Sequence, residues 1–413
     1  MGNSSGRPTN ARARVRGHER RRRIRRRRLV LLGVVAAVAL ATVAGVRALT
    51  ANTGPPSAHS GAAAGSGAAK QTPSARPSAF SGSASGGSAS SASPSSTVIT
   101  VGWVGDTTPG SRYGMPPDGG RALFGSLRPL LSKPDLMIAN LEGTYSTAGP
   151  SKCSGASAAN CFAFQAPPSY AEALAWSGID LVNVANNHSM DYLTRGSSQT
   201  QAALKKVGVA YAGPPNTVTI VKVRGLRVAV MGFSPYPWSA PLNDIPAAAR
   251  LVRRAAAKAS IVIVLMHAGA EGANEIHTPH GAESAYGEDR GNVRAFSHAM
   301  INAGADLVLG SGPHVIRGIE RYKNHLTAYS LGNFAGWHNF GLGGNLSLSG
   351  LLTVKIDGTG RILGGRWLSL YVGQPGVPEL DSSNASAHLV SSLSASDFAH
   401  TYRFDSRGHF TGQ

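Results

Sequence analysis

Five short apolar runs stop on residues that can hold a metal or move a proton, and no other feature of the chain constrains its fold as tightly. Val98–Val104 is followed by Asp106, Leu136–Ile138 by Asn140 and Glu142, and Leu181–Val184 by Asn186, Asn187 and His188. Ile261–Leu265 leads to His267, and Leu307–Leu309 leads to His314. Aliphatic and β-branched runs bounded by Gly, Asn, Asp or Pro read as buried strands. Ligands of an open parallel sheet gather beyond the carboxyl ends of its strands. Residues far apart in sequence are therefore expected to meet at one edge.

Helical segments separate the runs. Thr194–Val207 reads as a helix ended by Gly208, Pro246 opens one running to Lys258, and Asn292–Asn302 stops near Gly304. Leu226–Phe233, Thr327–Leu331 and Leu351–Ile356 read as further strands. This alternation predicts an α/β domain over residues 97–373, its sheet covered by helices. Residues 374–413 are Ser- and Ala-rich, an extension whose order the sequence leaves open.

The net charge of +19 is concentrated at one end. Residues 1–28 hold twelve Arg and one acid, whereas Thr97–Gln413 carries only +5, so the high pI gives no argument for nucleic-acid binding by the main domain. Leu29–Val46 follows without a charge. As a helix it would be roughly 27 Å long, enough to cross a hydrocarbon core. Arginines on one flank predict a cytoplasmic N-terminus and an extracytoplasmic main domain, a single-pass protein of the cell membrane. A cleaved signal peptide is the competing reading, with Arg27 and Arg28 compatible with twin-arginine export, but the length of the run and Arg47 after it favour an anchor. Residues 47–96 are mostly Ala, Gly, Ser, Pro and Thr, with Phe80 the one large apolar side chain after Thr50. Such a linker cannot offset its ordering entropy by burial and would reach on the order of 35 to 40 Å as a coil. Cys153 and Cys161 lie in one Gly/Ser/Ala-rich loop, where a disulfide is the expected state outside the cytoplasm.

Carboxylate, amide oxygen and imidazole suit a hydrolytic metal such as Zn, Mn or Fe, which lowers the pKa of its water. Asp106, Glu142, Asn187, His267 and His314 supply that set. Each alone has a plain structural explanation, such as a turn former at Asp106 or a strand-end hydrogen bond at His267. Their coincidence at five strand ends favours the metal reading. His277 and His280 flank Pro279 in a polar loop and read as solvent-exposed, while Pro235, Tyr236, Pro237 and Trp238 suit a groove wall or loop packing equally.

Asn186-Asn187-His188-Ser189-Met190-Asp191 is the sharpest local signal, and here the sequence resembles the CapA family of capsule and poly-γ-glutamate synthesis proteins, related to calcineurin-like metallophosphoesterases. Supporting segments are Gly105-Asp106, Asn140-Leu141-Glu142, His267-Ala268-Gly269-Ala270-Glu271, Gly304-Ala305-Asp306, Pro313-His314-Val315 and Tyr329-Ser330-Leu331-Gly332-Asn333-Phe334. The resemblance implies layered sheets covered by helices and one or two divalent ions. It implies metal ligands at Asp106, Glu142, Asn187, His267 and His314, with Glu142 alternatively orienting water. It makes His188 a proton donor to a leaving oxygen, Asn186 a substrate or supporting residue, and Glu271 an orienter of His267 or substrate. Asp191 and Asn333 read as holding loop backbones. Thr108 and Gly312 stand where imidazoles are usual, which puts a second ion in doubt.

The implied partners are the membrane, an anionic capsule polymer such as poly-γ-glutamate, and other capsule synthesis subunits. The implied activity is metal-assisted hydrolysis or transfer at a phosphoester, or less readily at an amide. A non-catalytic polymer-binding or assembly subunit is the alternative, and a general cell-wall phosphoesterase a third reading.

Overall fold

The computed structural model describes residues 96–155 and 161–412. The basic tail, the apolar run Leu29–Val46 and the linker expected from sequence lie outside the described residues. Among the described residues no helix is long and apolar enough to cross a membrane.

The strand runs do form, but they divide between two sheets. In the nine-stranded sheet Val98–Thr107 lies parallel to Leu136–Leu141, which is followed by Leu181–Asn183 and Ala210–Ala212. On its other side stand the antiparallel strands Leu348–Asp357, Ile362–Gly373 and Val377–Leu380. The seven-stranded sheet has Leu226–Ser234, Ile261–His267, Leu307–Ser311 and His325–Ala328 running parallel at its centre. Thr219–Val223 and Ile319–Tyr322 close its edges antiparallel.

Side-chain alternation distributes each run over two cores. Ile99, Val101, Trp103 and Ile138 meet Val228, Val230, Ile261, Ile263 and Leu265 in the core shared by the sheets. The alternate residues point outward. Val262, Val264 and Met266 pack under helices Ile245–Ala256 and Val293–Asn302, and Met137, Ala139 and Val182 pack with Leu174 and Leu204 of helices Glu172–Ser177 and Leu193–Lys206. Strands covered on both faces read as continuous apolar runs, which is why their pattern revealed strands but not the number of sheets. Trp103 ties the two sheets together, its Nε1 donating to Gly310 O at 3.2 Å.

Two local departures from the expected elements bear on the site. The first strand continues through Asp106 to Thr107, with register shifts on either side of Asp106. There Asp106 N donates to Gly332 O at 3.0 Å, and a Cβ on Gly105 would lie 1.9 Å from that carbonyl, so only glycine permits this approach. The expected strand Thr327–Leu331 instead occupies His325–Ala328; past it Leu331 makes only a single bridge to Ile316.

The C-terminal residues are ordered into the same body. Helix Ala385–Asp397 buries Val390 and Leu393 in the shared core, and His409–Thr411 pairs with Ile362–Gly373.

Candidate metal centre

The carboxyl ends of the parallel strands from both sheets converge on one buried cluster. The nine-stranded sheet contributes Asp106 at the end of its first strand and Glu142 just past Leu141; the seven-stranded sheet contributes His267 at a strand end and His314 beyond Ser311. Asp106, Glu142 and His267 are fully buried, and His314 is partly exposed. His314 Nδ1 lies 3.1 Å from Asp106 Oδ2, and its Nε2 lies 3.8 Å from Glu142 Oε1. His267 Nε2 is 3.6 Å from the same Glu142 oxygen, and its Nδ1 is 3.9 Å from Asp106 Oδ1. One ligand atom each from Asp106, Glu142 and His314 fit within 4.8 Å of one another.

Amides hold this set in place. Asn140 Nδ2 donates to Asp106 Oδ1 at 2.8 Å and lies 3.2 Å from His267 Nδ1, while Asn183 Nδ2 donates to Asn140 Oδ1 at 2.9 Å. Asn333 Oδ1 is 3.0 Å from His314 Nδ1, so Asn333 orients a candidate ligand as well as its own loop through Leu346 O.

Whether a cation suits these residues is answered by their unmet hydrogen-bonding capacity. Both carboxylate oxygens of Glu142, Asn187 Oδ1 and His267 Nε2 are buried without a hydrogen-bond partner, and Asp106 Oδ2 has the His314 imidazole beside it at 3.1 Å. Buried polar atoms are nearly always paired, and leaving them unpaired is costly. Oxygen and imidazole donors of this kind fit a divalent first-row cation. Burial, the largest influence, raises the Glu142 carboxyl well above its usual range. Burial likewise holds His267 well below the ordinary imidazole value, leaving it neutral as a ligand must be. At His314 burial opposes protonation, but Glu142 and Asp106 outweigh it and raise the imidazole to about 10.

His188 stands apart from the cluster on the loop after Leu181–Asn183. Its ring lies 4.4 Å from that of Phe164, and its Nδ1 is 2.9 Å from Asp191 Oδ2. Asp191, expected to hold loop backbone, does accept from Phe164 N at 2.6 Å, but it also orients His188 and pairs with Lys152 Nζ at 2.6 Å. Burial lowers the His188 pKa while Asp191 raises it. With Nδ1–H committed to Asp191, Nε2 is the nitrogen left for proton exchange in the cleft that His188 lines. Asn186 braces the loop: its Oδ1 accepts from His188 N at 3.0 Å and its Nδ2 donates to Leu141 O at 2.8 Å. Asn187 lines the adjoining cleft.

Glu271 contacts neither His267 nor a backbone turn. It pairs with Arg290 Nη1 at 2.5 Å and lies 3.9 Å from His314 Nε2. Arg290 carries no signal in the sequence, where it follows two acidic residues in a polar stretch. It is 1% exposed and donates to Gly269 O, Gly312 O and the Tyr236 hydroxyl. Gly312 has φ +113°, and a Cβ there would meet Ala268 N at 2.9 Å and Arg290 Nη2 at 3.1 Å. The guanidinium therefore fills space toward which a side chain at 312 would project. Thr108 is also turned to another partner, its hydroxyl accepting from Asn339 Nδ2 at 3.0 Å.

The chain that carries this geometry has recognisable relatives. The family described as bacterial capsule synthesis protein PGA_cap matches residues 100–336. The capsule biosynthesis protein CapA of Bacillus anthracis is 30% identical over 184 residues, 39% of this chain and 42% of that protein. The PGA biosynthesis protein CapA of Bacillus subtilis is 32% identical over 177 residues, 38% of this chain and 43% of that protein. The matched stretch thus spans less than half the length of either relative. A 5'-nucleotidase precursor from Thermus thermophilus aligns over 72% of this chain and 58% of its own, at 16% identity and a TM-score of 0.37, too low to carry an argument.

Proposed function

The chain belongs to the bacterial capsule synthesis family PGA_cap, and from that membership together with the buried cluster we propose that it acts on a capsule polymer by metal-assisted hydrolysis or transfer at a phosphoester. The observation that carries this reading is the pair of residues with unpartnered ligand atoms, Glu142 and His267, packed with Asp106 and His314 beside a cleft that His188 lines, with Asn187 Oδ1 unpartnered on the wall of the adjoining cleft. Asp106, Glu142 and His314 would hold one divalent ion, with His267 beside Glu142 the candidate further imidazole and Asn187 the candidate amide ligand; Zn, Mn and Fe all suit the donors. Such an ion supplies Lewis acidity to a phosphoryl oxygen and an acidified water.

The chain's own residues do the rest. Asn140 and Asn333 fix the orientation of Asp106, His267 and His314 before substrate arrives. His188 exchanges a proton at Nε2 with the leaving oxygen, and the Asp191 carboxylate stabilises the imidazolium while that proton is held. Glu271 pairs with Arg290 through one oxygen and presents the other to the cleft.

We place the described domain outside the cytoplasm, anchored through Leu29–Val46 and working with other capsule synthesis subunits. The charge asymmetry of the first 28 residues and the Cys153–Cys161 disulfide, with Cα atoms 5.6 Å apart, support that placement. Protease added to wall-stripped cells should remove the domain; its survival alongside a cut N-terminus would refute the orientation.

A non-catalytic assembly subunit is the second reading, favoured by Gly312 and Thr108. Metal analysis and bis(4-nitrophenyl) phosphate turnover of the purified chain, with and without His188→Asn, separate the two. An enzyme retains its metal in this variant but loses turnover by about a hundredfold or more. If His188→Asn and Asp106→Ala both restore capsule to a deletion strain as fully as the parent chain, the assembly reading replaces the enzymatic one.

A further inference from the structure

A cleft of about 740 Å³ adjoins the cluster, bounded in part by Phe162, Tyr236, Trp238 and Tyr286. Tyr236 and Trp238 stack with ring centroids 5.2 Å apart and planes 12° from parallel. Both rings are pinned. The Tyr236 hydroxyl donates to Glu288 Oε2 at 2.6 Å and accepts from Arg290, and Trp238 Nε1 donates to Asn186 O at 2.9 Å. A rigid aromatic wall therefore continues from the loop that carries His188.

Tyr286 is the more telling residue. It is 86% exposed, the highest value among the large apolar side chains described, and Phe162 beside the same cleft is 49% exposed. Tyr286 and Gly287 form the two-residue tip between strands Glu283–Ala285 and Glu288–Gly291, with φ +53° and +83°. Turns with both central residues left-handed favour Asn, Asp or Gly, and a bulky side chain there is strained. Tyr286 thus serves neither core packing nor its own turn, and its ring lines the cleft.

Charge decides what kind of ring. The Lys152 ammonium is committed to Asp191 and to Asn187 O, and Arg290 to Glu271. The carboxylates on the wall, Glu271 and Glu288, are each engaged through one oxygen, by Arg290 and by the Tyr236 hydroxyl, so each keeps a second oxygen as an acceptor. Among the described residues of this wall a polyanion finds no uncommitted cation, which runs against closely spaced charges such as those of poly-γ-glutamate or a nucleic-acid backbone, whereas the charge of a single scissile phosphoester would lie at the metal cluster. Carboxylates accept hydrogen bonds from hydroxyls, and aromatic faces cover the apolar face of a ring. We propose that this cleft is a saccharide subsite, holding uncharged sugar rings of the polymer next to the metal centre. The inference deepens the phosphoester reading by naming what flanks the scissile group, but its own test needs no turnover.

The test is calorimetric titration of the purified full-length chain with chitohexaose, a γ-linked glutamate decamer and AMP, each with metal and with chelator. Chitohexaose should bind under both conditions. Tyr286→Asn, which suits the turn better, should bind it about tenfold more weakly without lowering the melting temperature, as should Trp238→Leu in binding if not in stability. Chitohexaose affinity unchanged by Tyr286→Asn, no chitohexaose binding at all, or tighter binding of the glutamate decamer or AMP would each overturn the proposal. Failure of bis(4-nitrophenyl) phosphate turnover alongside Tyr286-dependent chitohexaose binding would remove the phosphoester reading and leave the saccharide subsite standing.

Discussion

Asp191→Asn isolates the role of the carboxylate behind His188. In the parent chain Asp191 is fully buried, with Oδ2 2.9 Å from His188 Nδ1 and 2.6 Å from Phe164 N, and Oδ1 2.6 Å from Lys152 Nζ. Asparagine can still accept from Phe164 N through its oxygen, but it then presents an NH₂ group to His188. The imidazole must accept at Nδ1 and carry its proton at Nε2, and its pKa, already lowered by burial, falls further without the carboxylate. Loss of one charge-assisted hydrogen bond costs about 1.5–3 kcal/mol, partly offset as the exposed Lys152 ammonium returns to water. Asp191→Ala should cost more, on the order of 3–5 kcal/mol, because Phe164 N–H and the neighbouring charge lose their partner together. Metal content should not change, since Asp191 lies outside the ligand cluster. Turnover should drop by roughly 10² to 10³, within the range a general acid or base contributes. Nitrogen NMR of the histidine-labelled chain reads the tautomer directly, with His188→Asn identifying the resonance. An unchanged tautomer, or a turnover loss that tracks metal loss, would refute the reasoning.

Three further outcomes follow from geometry and charge. Gly312→Ala should destabilise the chain by about 1–3 kcal/mol in denaturant unfolding, because φ +113° and the 2.9 Å approach to Ala268 N exclude a Cβ, and Gly312→His should bind no second ion by elemental analysis. Burial raises Asp306 to about 7, above its unfolded value, so its contribution to stability is complete below about pH 4 and is lost as pH rises through 7. Asp306→Asn, which keeps an acceptor for Val262 N–H, should flatten that part of the stability–pH curve. Saturating metal at a hundredfold excess over its Kd should add about 2.7 kcal/mol of stability, and Asp106→Ala should abolish the added increment.

The convergence of Asp106, Glu142, His267 and His314 was readable because each lies within a few residues of the end of an apolar run, so a local pattern placed them near strand ends. Nothing in those runs says which layer covers them, and the split into two sheets was therefore silent. Arg290 was hidden for a different reason: its burial is decided by the carbonyls of Gly269 and Gly312, about twenty residues away in either direction. Asp191 carried a signal that was undervalued, since three residues after His188 in a tight turn a carboxylate can reach back to the imidazole. The order of the final forty residues was obscured by composition. Val390, Leu393, Phe398, Tyr402 and Phe410 are few among Ser and Ala, yet each is buried.

Because the cluster takes carboxylates from one sheet and imidazoles from the other, it comes into being only when the two sheets have docked. Contacts of such long sequence separation are costly in chain entropy, so a cluster built on them is expected to form late in folding. A ligand that binds the assembled cluster would then leave the rate of folding almost unaltered and act instead on the rate of escape from the native state. Such an ion would set the lifetime of the native state rather than the route by which the chain first folds.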